Sequence, residues 1–295
     1  MHLSTHNWMR AEPLEVTLKR IKKAGYESIE ISGEPDQYPI AETQTLLKKY
    51  KIRCWGSVTL TLGKRNLLAK SPKQRADTVK YMKDVVSLAS ALGGEIITLV
   101  PATVGKVVAE ASPEEEWQWA IDGCTEVYEW GLKKGVKIGI EPLNRFETYF
   151  ITRCEQALAL AKAVGKHCGV CLDVFHMNME ESDMHVAIEK AGSRLYDFHV
   201  ADNNRFAPGM GDFEWKKIVR TLKKTGYKGA LTVEFVAPVD RTPANKFPKA
   251  VEKNPVDISP EQLKFIQDHG SSVLSEEFYT MLVKKSAKTL LPLIK

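Results

Sequence analysis

The sequence predicts an α/β protein built as a (β/α)8 barrel. Three observations carry this. Eight short apolar, β-branched runs recur along the chain, amphipathic segments of helical period lie between them, and a glycine closes most of those segments just before the next run. Strand–helix alternation sustained over a whole chain is the pattern of a parallel sheet, and eight units in roughly 250 residues is the barrel count. A doubly wound open sheet would need fewer strands and usually a Gly-rich phosphate loop, but neither GxGxxG nor GxxxxGK[ST] occurs.

The predicted strands are His2–Trp8, Ser28–Ile31, Arg53–Val58, Glu95–Leu99, Lys137–Glu141, Val170–Asp173, Leu195–Val200 and Ala230–Phe235. The segments of helical period are Leu14–Lys23, Thr43–Tyr50, Arg75–Leu92, Glu114–Lys134, Arg153–Val164, Met184–Lys190 and Glu214–Lys224, with Ser275–Leu291 as the closing helix. Ser112 with Glu115, and Thr152 with Glu155, have the S/T-x-x-E spacing of a capping box. Gly25, Gly93, Gly135, Gly165, Gly192 and Gly226 are the stop signals, because glycine accepts the left-handed conformation that ends a helix. Two connections are longer than a tight barrel loop: Thr59–Ser71, and the segment 237–274 with its five prolines. Loops this long are usually functional; on a barrel they point to a substrate rim, a lid or an oligomer contact. The expected organisation is therefore one barrel over residues 1–295 with an extended loop at 237–274 after strand 8.

Composition narrows the class. Hydrophobic content of 43% and charged content of 27% are ordinary for a globular protein. No run approaches the ~18 apolar residues of a membrane span, and MHLSTHNWMR lacks the basic and apolar regions of a secretory signal. The net charge of +5 is mild, and lysine pairs such as Lys22-Lys23 and Lys133-Lys134 sit near predicted helix ends, where they complement the helix dipole. Neither nucleic acid nor membrane is an expected partner. The five cysteines are odd in number and scattered, and Cys168-Gly-Val-Cys171 has no second CxxC, so strand packing in a reducing cytoplasm is expected.

Function concentrates at four strand ends. Glu141 in GIEPLNRFE, Asp173 in VCLDVFHMN, His199 in YDFHVADNNR and Glu234 in ALTVEF each close one of four successive strands. Barrel chemistry is done at the C-terminal strand ends. Alternation supports a common inward direction: Gly139 and Lys137 share the face of Glu141, Cys171 and Gly169 that of Asp173, Asp197 and Leu195 that of His199, and Thr232 and Ala230 that of Glu234. The larger apolar residues between them point the other way. Three carboxylates and an imidazole converging in a low-dielectric interior form a ligand set for a hard-to-borderline divalent ion, Mn²⁺ first, then Co²⁺ or Mg²⁺. A metal on a carbonyl and its neighbouring hydroxyl acidifies the adjacent C–H and stabilises an enediolate. A carboxylate on each side, Glu141 and Glu234, then suits removal of a proton from one face and return to the other. No nucleotide cofactor is signalled. Glu147, His176 and Arg205 follow the ligands at offsets that put them in loops over the metal, as substrate contacts, and His6, Trp8 and Glu30 are either pocket lining or barrel core.

At these residues the chain resembles a known family. IEPLNRFE, LDVFHMN and FHVADNNR resemble the signature segments of the ketose 3-epimerases (D-tagatose and D-psicose 3-epimerase type), within the xylose isomerase-like, sugar phosphate isomerase/epimerase superfamily. GYESIEISGE matches the second strand. The resemblance implies a TIM barrel with a Mn²⁺-type ion on Glu141, Asp173, His199 and Glu234, with Glu141 and Glu234 as the acid/base pair. It also implies Glu147, His176 and Arg205 as substrate contacts, joined here by His6, a small-molecule sugar as substrate, and a homodimer or homotetramer. FVAPVDRTPANKFP after strand 8 and VPATVGK after strand 4 depart from the family pattern. Two other reactions share the chemistry: a lyase cleaving 3-oxo-(C-)glycosides with a small partner subunit, and an aldose–ketose isomerase acting on a sugar phosphate, for which Lys64 and Arg65 are the phosphate candidates.

Overall fold

Eight parallel strands carry the structure, a computed structural model that describes residues 1–237, 240, 242–250, 260 and 274–295. They are β1 (His2–Thr5), β2 (Ser28–Ser32), β3 (Arg53–Val58), β4 (Ile96–Leu99), β5 (Lys137–Ile140), β6 (Cys168–Asp173), β7 (Leu195–Val200) and β8 (Ala230–Val233). Ladders join them in the order β1-β8-β7-β6-β5-β4-β3-β2. The seam between β1 and β2 closes through the Glu27 N–H, which donates to the Leu3 carbonyl at 3.1 Å, and through a parallel bridge between His6 and Glu30. The sheet is a closed barrel, as the alternation predicts.

Around it lie helices α1 (Leu14–Ala24), α2 (Ile40–Tyr50), α3 (Pro72–Ala91), α4 (Pro113–Lys134), α5 (Cys154–Val164), α6 (Val174–Glu180), α7 (Met184–Ala191), α8 (Trp215–Lys224) and α9 (Glu276–Ile294). The Ser112–Glu115 capping box forms at the start of α4. The second predicted box does not. Gln156, rather than Glu155, turns back at α5, and its Oε1 accepts the N–H groups of Thr152 and Arg153 at 2.8 and 3.0 Å. Gly25 and Gly135 end their helices left-handed, whereas Gly165 is extended at φ 173°. Described parts of the 237–274 loop pack on the barrel: the Phe247 ring lies 5.0 Å from Phe278 and 6.4 Å from Phe206. Most of that loop lies outside the described residues.

The outward strand residues, among them Leu3, Ile29, Ile97, Ile138, Leu172, Phe198 and Leu231, merge with the helices into one buried core. The interior is layered. At the bottom Trp55, Ile96 and Ala230 pack with Tyr196, and His2 meets Trp55 edge-on at 4.8 Å. Leu195 corrects the expectation from simple alternation. An extra residue on β7, between the pairs Val170–Leu195 and Cys171–Asp197, turns Tyr196 inward and sends Leu195 to the outer core. A similar irregularity opposite Ile29 and Glu30 places Trp55 inside. Gly56 follows Trp55 because nothing larger fits: a Cβ there would overlap the Ile96 carbonyl.

Gly56→Ala is therefore expected to cost about 1–3 kcal/mol, the usual range for overpacking, read as a lower urea midpoint. Gly93→Ala is the comparison, because Gly93 (φ +77°) has open space around it and loses only about 1–2 kcal/mol for a left-handed backbone. An unchanged midpoint in Gly56→Ala would refute the close approach of β3 to β4.

Candidate functional site

Backbone pairing sets the positions of the four strand-end residues. Asp173 and His199 are paired in register across β6 and β7. Glu141 and Glu234 stand one residue beyond β5 and β8, yet their N–H groups still donate in the ladder, to Leu99 and Val200, each at 3.0 Å. All four are buried. His199 is central: its Nδ1 lies 2.8 Å from Glu234 Oε2 and 3.2 Å from Glu141 Oε1. The other ring nitrogen, Nε2, looks down the barrel, 3.6 Å from Glu30 Oε2 and 3.8 Å from Asp197 Oδ2. His6 stands edge-on to His199 with ring centres 4.6 Å apart, and reaches Glu234 Oε2 at 3.7 Å and Glu30 Oε2 at 3.8 Å.

Burial pushes the Glu141 and Asp173 carboxyls above their ordinary range, and burial with the neighbouring Asp197 pushes Glu30 further. Glu234 moves the other way. Burial opposes its ionisation, but the imidazoles of His6 and His199 and the Arg205 guanidinium hold it well below the usual carboxylate range. Burial also opposes protonation of His199, yet Cys171, Glu234, Glu141 and Glu30 around it raise it well above an ordinary histidine.

Several buried atoms here have no hydrogen-bond partner: Glu141 Oε1, Asp173 Oδ2 and His199 Nδ1 at the strand ends, and Glu30 Oε2, Asp197 Oδ2 and His199 Nε2 beneath. Each such atom costs about 1–3 kcal/mol unless something satisfies it. Among the described residues four overlapping trios have ligand atoms close enough to hold one ion: His6–His199–Glu234, Glu141–Cys171–His199, Glu30–Asp197–His199 and Glu141–Asp173–His176. Burial raises the Cys171 thiol well above its ordinary range, and a soft thiol suits a hard-to-borderline ion less well than the carboxylates around it. The remaining upper donors, carboxylates and imidazole, fit a divalent cation.

The loops add three polar groups. Asp173 caps α6, its Oδ1 accepting the Phe175 N–H at 2.8 Å, which leaves Oδ2 turned toward His176 Nε2 at 3.7 Å. Helix α6, absent from the sequence reading, is what places His176. Asn144 links the rest. Its backbone and side-chain N–H groups lie 3.3 and 2.9 Å from His176 Nδ1, and its Nδ2 donates to Glu147 Oε1 at 2.8 Å. With two donors on Nδ1, His176 carries its proton on Nε2, facing Asp173. Arg205 donates to Glu147 Oε1 at 2.6 Å and lies over the Phe175 ring at 4.4 Å; the pair holds Glu147 low against its burial. The Arg205 backbone is left-handed at φ 59°, a strained conformation for arginine. Asp202 supports that turn: its carboxylate accepts the N–H groups of Asn203, Gly209 and Phe213 and the Trp215 indole N–H.

Glu141, Glu147, His176, Arg205 and Glu234 line a narrow pocket with Trp8, Val58–Thr61, Val100, Val104 and Leu143. His199, Asp173 and His6 are buried behind it, with His6 between Glu234 and Glu30. The sequence reading missed Asn144, whose signal was its place between Glu141 and Glu147, and it left Glu30 undecided. Two larger hollows, beside α1 and α2 and beside α3, are on the flank of the barrel, away from this cluster.

Known proteins share this architecture. The family described as xylose isomerase-like TIM barrel matches residues 18–269. The chain is 28% identical over 230 residues to a D-psicose 3-epimerase of Enterocloster bolteae, covering 74% of this chain and 75% of that one. It is 27% identical over 260 residues to a probable ketose 3-epimerase of Synechocystis sp., covering 86% and 90%. The solved structure of D-allulose 3-epimerase from Methylomonas sp. in complex with D-allulose superposes with a TM-score of 0.82 at 21% identity, over 99% of this chain and 96% of that one. With its closed parallel barrel and its acidic, imidazole-centred strand ends, the chain belongs to the xylose isomerase-like TIM barrel family and is related within it to the ketose 3-epimerases.

Proposed function

We propose that this chain is a metal-dependent ketose 3-epimerase, with Glu141, Asp173, His199 and Glu234 as ligands. The observation that carries the reading is that Glu141 and Glu234 both line the pocket and both meet His199 Nδ1, at 3.2 and 2.8 Å. A bound divalent cation, Mn²⁺ by donor chemistry, supplies the charge that stabilises an enediolate. The carboxylates do the proton work: one removes the C3 proton from one face of the sugar and the other returns a proton to the opposite face. Glu147, His176 and Arg205 hold sugar oxygens at the mouth, and His6 reaches the substrate only through Glu234.

The cation inventory supports an uncharged sugar. Among the described residues Arg205 is the one lysine or arginine lining the pocket, and Glu147 holds it. Arg65 is bound by both oxygens of Glu34 at 2.7 and 2.9 Å and lies 3.7 Å over the Tyr81 ring, so it is not a free phosphate ligand. The expected homo-oligomer is supported by an apolar rim, with Val108 70% and Phe146 73% exposed on loops joined by the Lys106–Thr148 bridge. All five cysteines are buried and unpaired, which suits the reducing cytoplasm expected from the sequence. Among the described residues no helix is long and apolar enough to cross a membrane.

The Mn²⁺-loaded protein in D₂O with fructose, tagatose, psicose or ribulose is expected to place deuterium at C3 and form the C3 epimer. Deuterium at C1 instead would make it an aldose–ketose isomerase. No exchange with metal bound would exclude free ketoses and turn attention to oxo-glycosides. Glu141→Gln and Glu234→Gln are each expected to lower turnover by at least about 10²–10⁴-fold; full activity in either would sink the two-carboxylate mechanism.

The metal also makes a pH prediction. Above about pH 6.5, His2 and His6, which burial lowers to about 4, are neutral in the folded and unfolded chain alike. His199 is raised, so the metal-free folded chain keeps a proton that the unfolded chain has lost. That contribution is complete below the unfolded value and disappears as pH rises through the folded one. Urea titrations between pH 6.5 and 9 in chelator should show stability falling with pH, and Mn²⁺ should abolish the fall, because bound ligands are already deprotonated. Stability that rises with pH in chelator would contradict the assignment.

A further inference from the structure

We propose that Glu30, with Asp197, is the positioning anion for His199: the two carboxylates fix the ring from below so that Nδ1 faces the metal position. The inference rests on the metal reading above and adds residues to it.

Glu30 comes from the middle of β2, at the seam that closes the barrel, and is fully buried. Its Oε1 accepts the Thr232 hydroxyl at 2.6 Å. Its Oε2 has no hydrogen-bond partner and lies 3.6 Å from His199 Nε2 and 3.8 Å from His6 Nδ1. Asp197, also fully buried, repeats the arrangement on β7. Its Oδ1 accepts the Phe198 N–H at 2.8 Å, and its unpartnered Oδ2 lies 3.8 Å from His199 Nε2. Two carboxylates therefore each spend one oxygen on an anchor and aim the other at the same ring nitrogen. The ion-pair contacts of Glu30 are imidazoles, not lysine or arginine. A carboxylate buried this completely is expensive unless something cationic or proton-donating uses it.

Glu30, Asp197 and His199 also have ligand atoms close enough to hold an ion themselves. The ring argues against that use. A neutral imidazole has one lone pair and one N–H. If Nδ1 gives its lone pair to a metal beside Glu141 and Glu234, Nε2 carries the proton and presents a donor to the lower carboxylates. A second ion there would need a doubly deprotonated ring. The lower cluster is therefore the outer support of a single metal site, the arrangement that fixes tautomer and ring direction in metal-binding histidines. Thr232 makes the support specific, because its hydroxyl is what turns Glu30 Oε2 toward the ring.

The test is Mn²⁺ affinity and stoichiometry, from the resonance of free Mn²⁺ and from metal analysis, in wild type, Glu30→Gln and Thr232→Val. Far-UV circular dichroism checks folding, and the visible spectrum of the Co²⁺-loaded protein reports ligand geometry. We expect one ion per wild-type chain, binding weakened about 10–100-fold in Glu30→Gln, a smaller loss in Thr232→Val, and a shifted Co²⁺ spectrum in both. If Glu30→Gln does not fold, Thr232→Val decides. Wild-type affinity and spectrum in the folded variants would overturn the inference and leave the metal reading intact. Two ions per wild-type chain, one of them lost in Glu30→Gln, would also overturn it, in favour of a second metal site. A wild-type chain that binds no Mn²⁺ would overturn the metal reading itself and this inference with it.

Discussion

One imidazole surrounded by carboxylates governs the interior of this barrel. His199 is fully buried and has acidic groups on both sides: Glu141 and Glu234 toward the pocket, Glu30 and Asp197 toward the barrel floor. Ionised carboxylates in a low-dielectric interior repel one another and lose their hydration. The opposing acidity shifts around the ring follow from this packing: burial moves Glu141, Asp173 and Glu30 up, while the imidazoles of His6 and His199 and the Arg205 guanidinium move Glu234 down. The rest of the interior is arranged around this. The middle of the barrel carries Thr232, Asp197 and Glu30 where an ordinary barrel layer carries branched aliphatics. The seam between β1 and β2 is bridged at His6 and Glu30, so barrel closure and the support of the site involve the same residues.

Local backbone structure then does chemical work. Asp173 ends β6 and caps α6 with a single carboxylate, so the turn that starts the helix also dictates which oxygen faces the site. Asn144 fixes the tautomer of His176 and the position of Glu147 at once. Asp202 satisfies four N–H groups of the β7–α8 connection, which holds Arg205 in its left-handed backbone and delivers the guanidinium to Glu147. Strain at Arg205 is tolerable because its neighbours over-determine the turn.

The fold was legible because its signals are periodic. Alternating strand faces and helical spacing repeat eight times, and one missed cap, such as the exchange of Gln156 for Glu155, cannot change the count. The four strand-end residues were legible for a related reason: a polar side chain at the C-terminal end of an apolar strand stands out, and barrel geometry says where it points. What stayed hidden depends on register rather than on period. The extra residue at Tyr196 reversed the facing of Leu195, and single-strand alternation contains no sign of it. Glu30 was ambiguous between pocket and core because its meaning comes from His199, far away in sequence and adjacent only across the closed barrel. Helix α6 was hidden because it begins on the residue after β6, with Asp173 both ending the strand and capping the helix, so no turn signal separates the two.

The division of labour within the pocket follows from the same placement. All of its ionisable lining residues, Glu141, Glu147, His176, Arg205 and Glu234, stand on the β5, β6, β7 and β8 side. The β3 and β4 side is Val58, Leu60, Val100 and Val104, with two threonines whose hydroxyls are engaged by the Val100 backbone at 2.8 and 3.0 Å. A sugar in this pocket meets charge and directional hydrogen bonding along one wall and a mostly apolar surface along the other. In the proposed reaction the directional wall must hold the reacting carbons, because proton transfer requires the carboxylates within hydrogen-bond reach. The opposite wall then discriminates by size and apolarity, effects worth about 1–3 kcal/mol per methylene. In the proposed reaction a few buried charges therefore specify the chemistry, while the apolar wall of β3 and β4 limits the size of what the pocket holds.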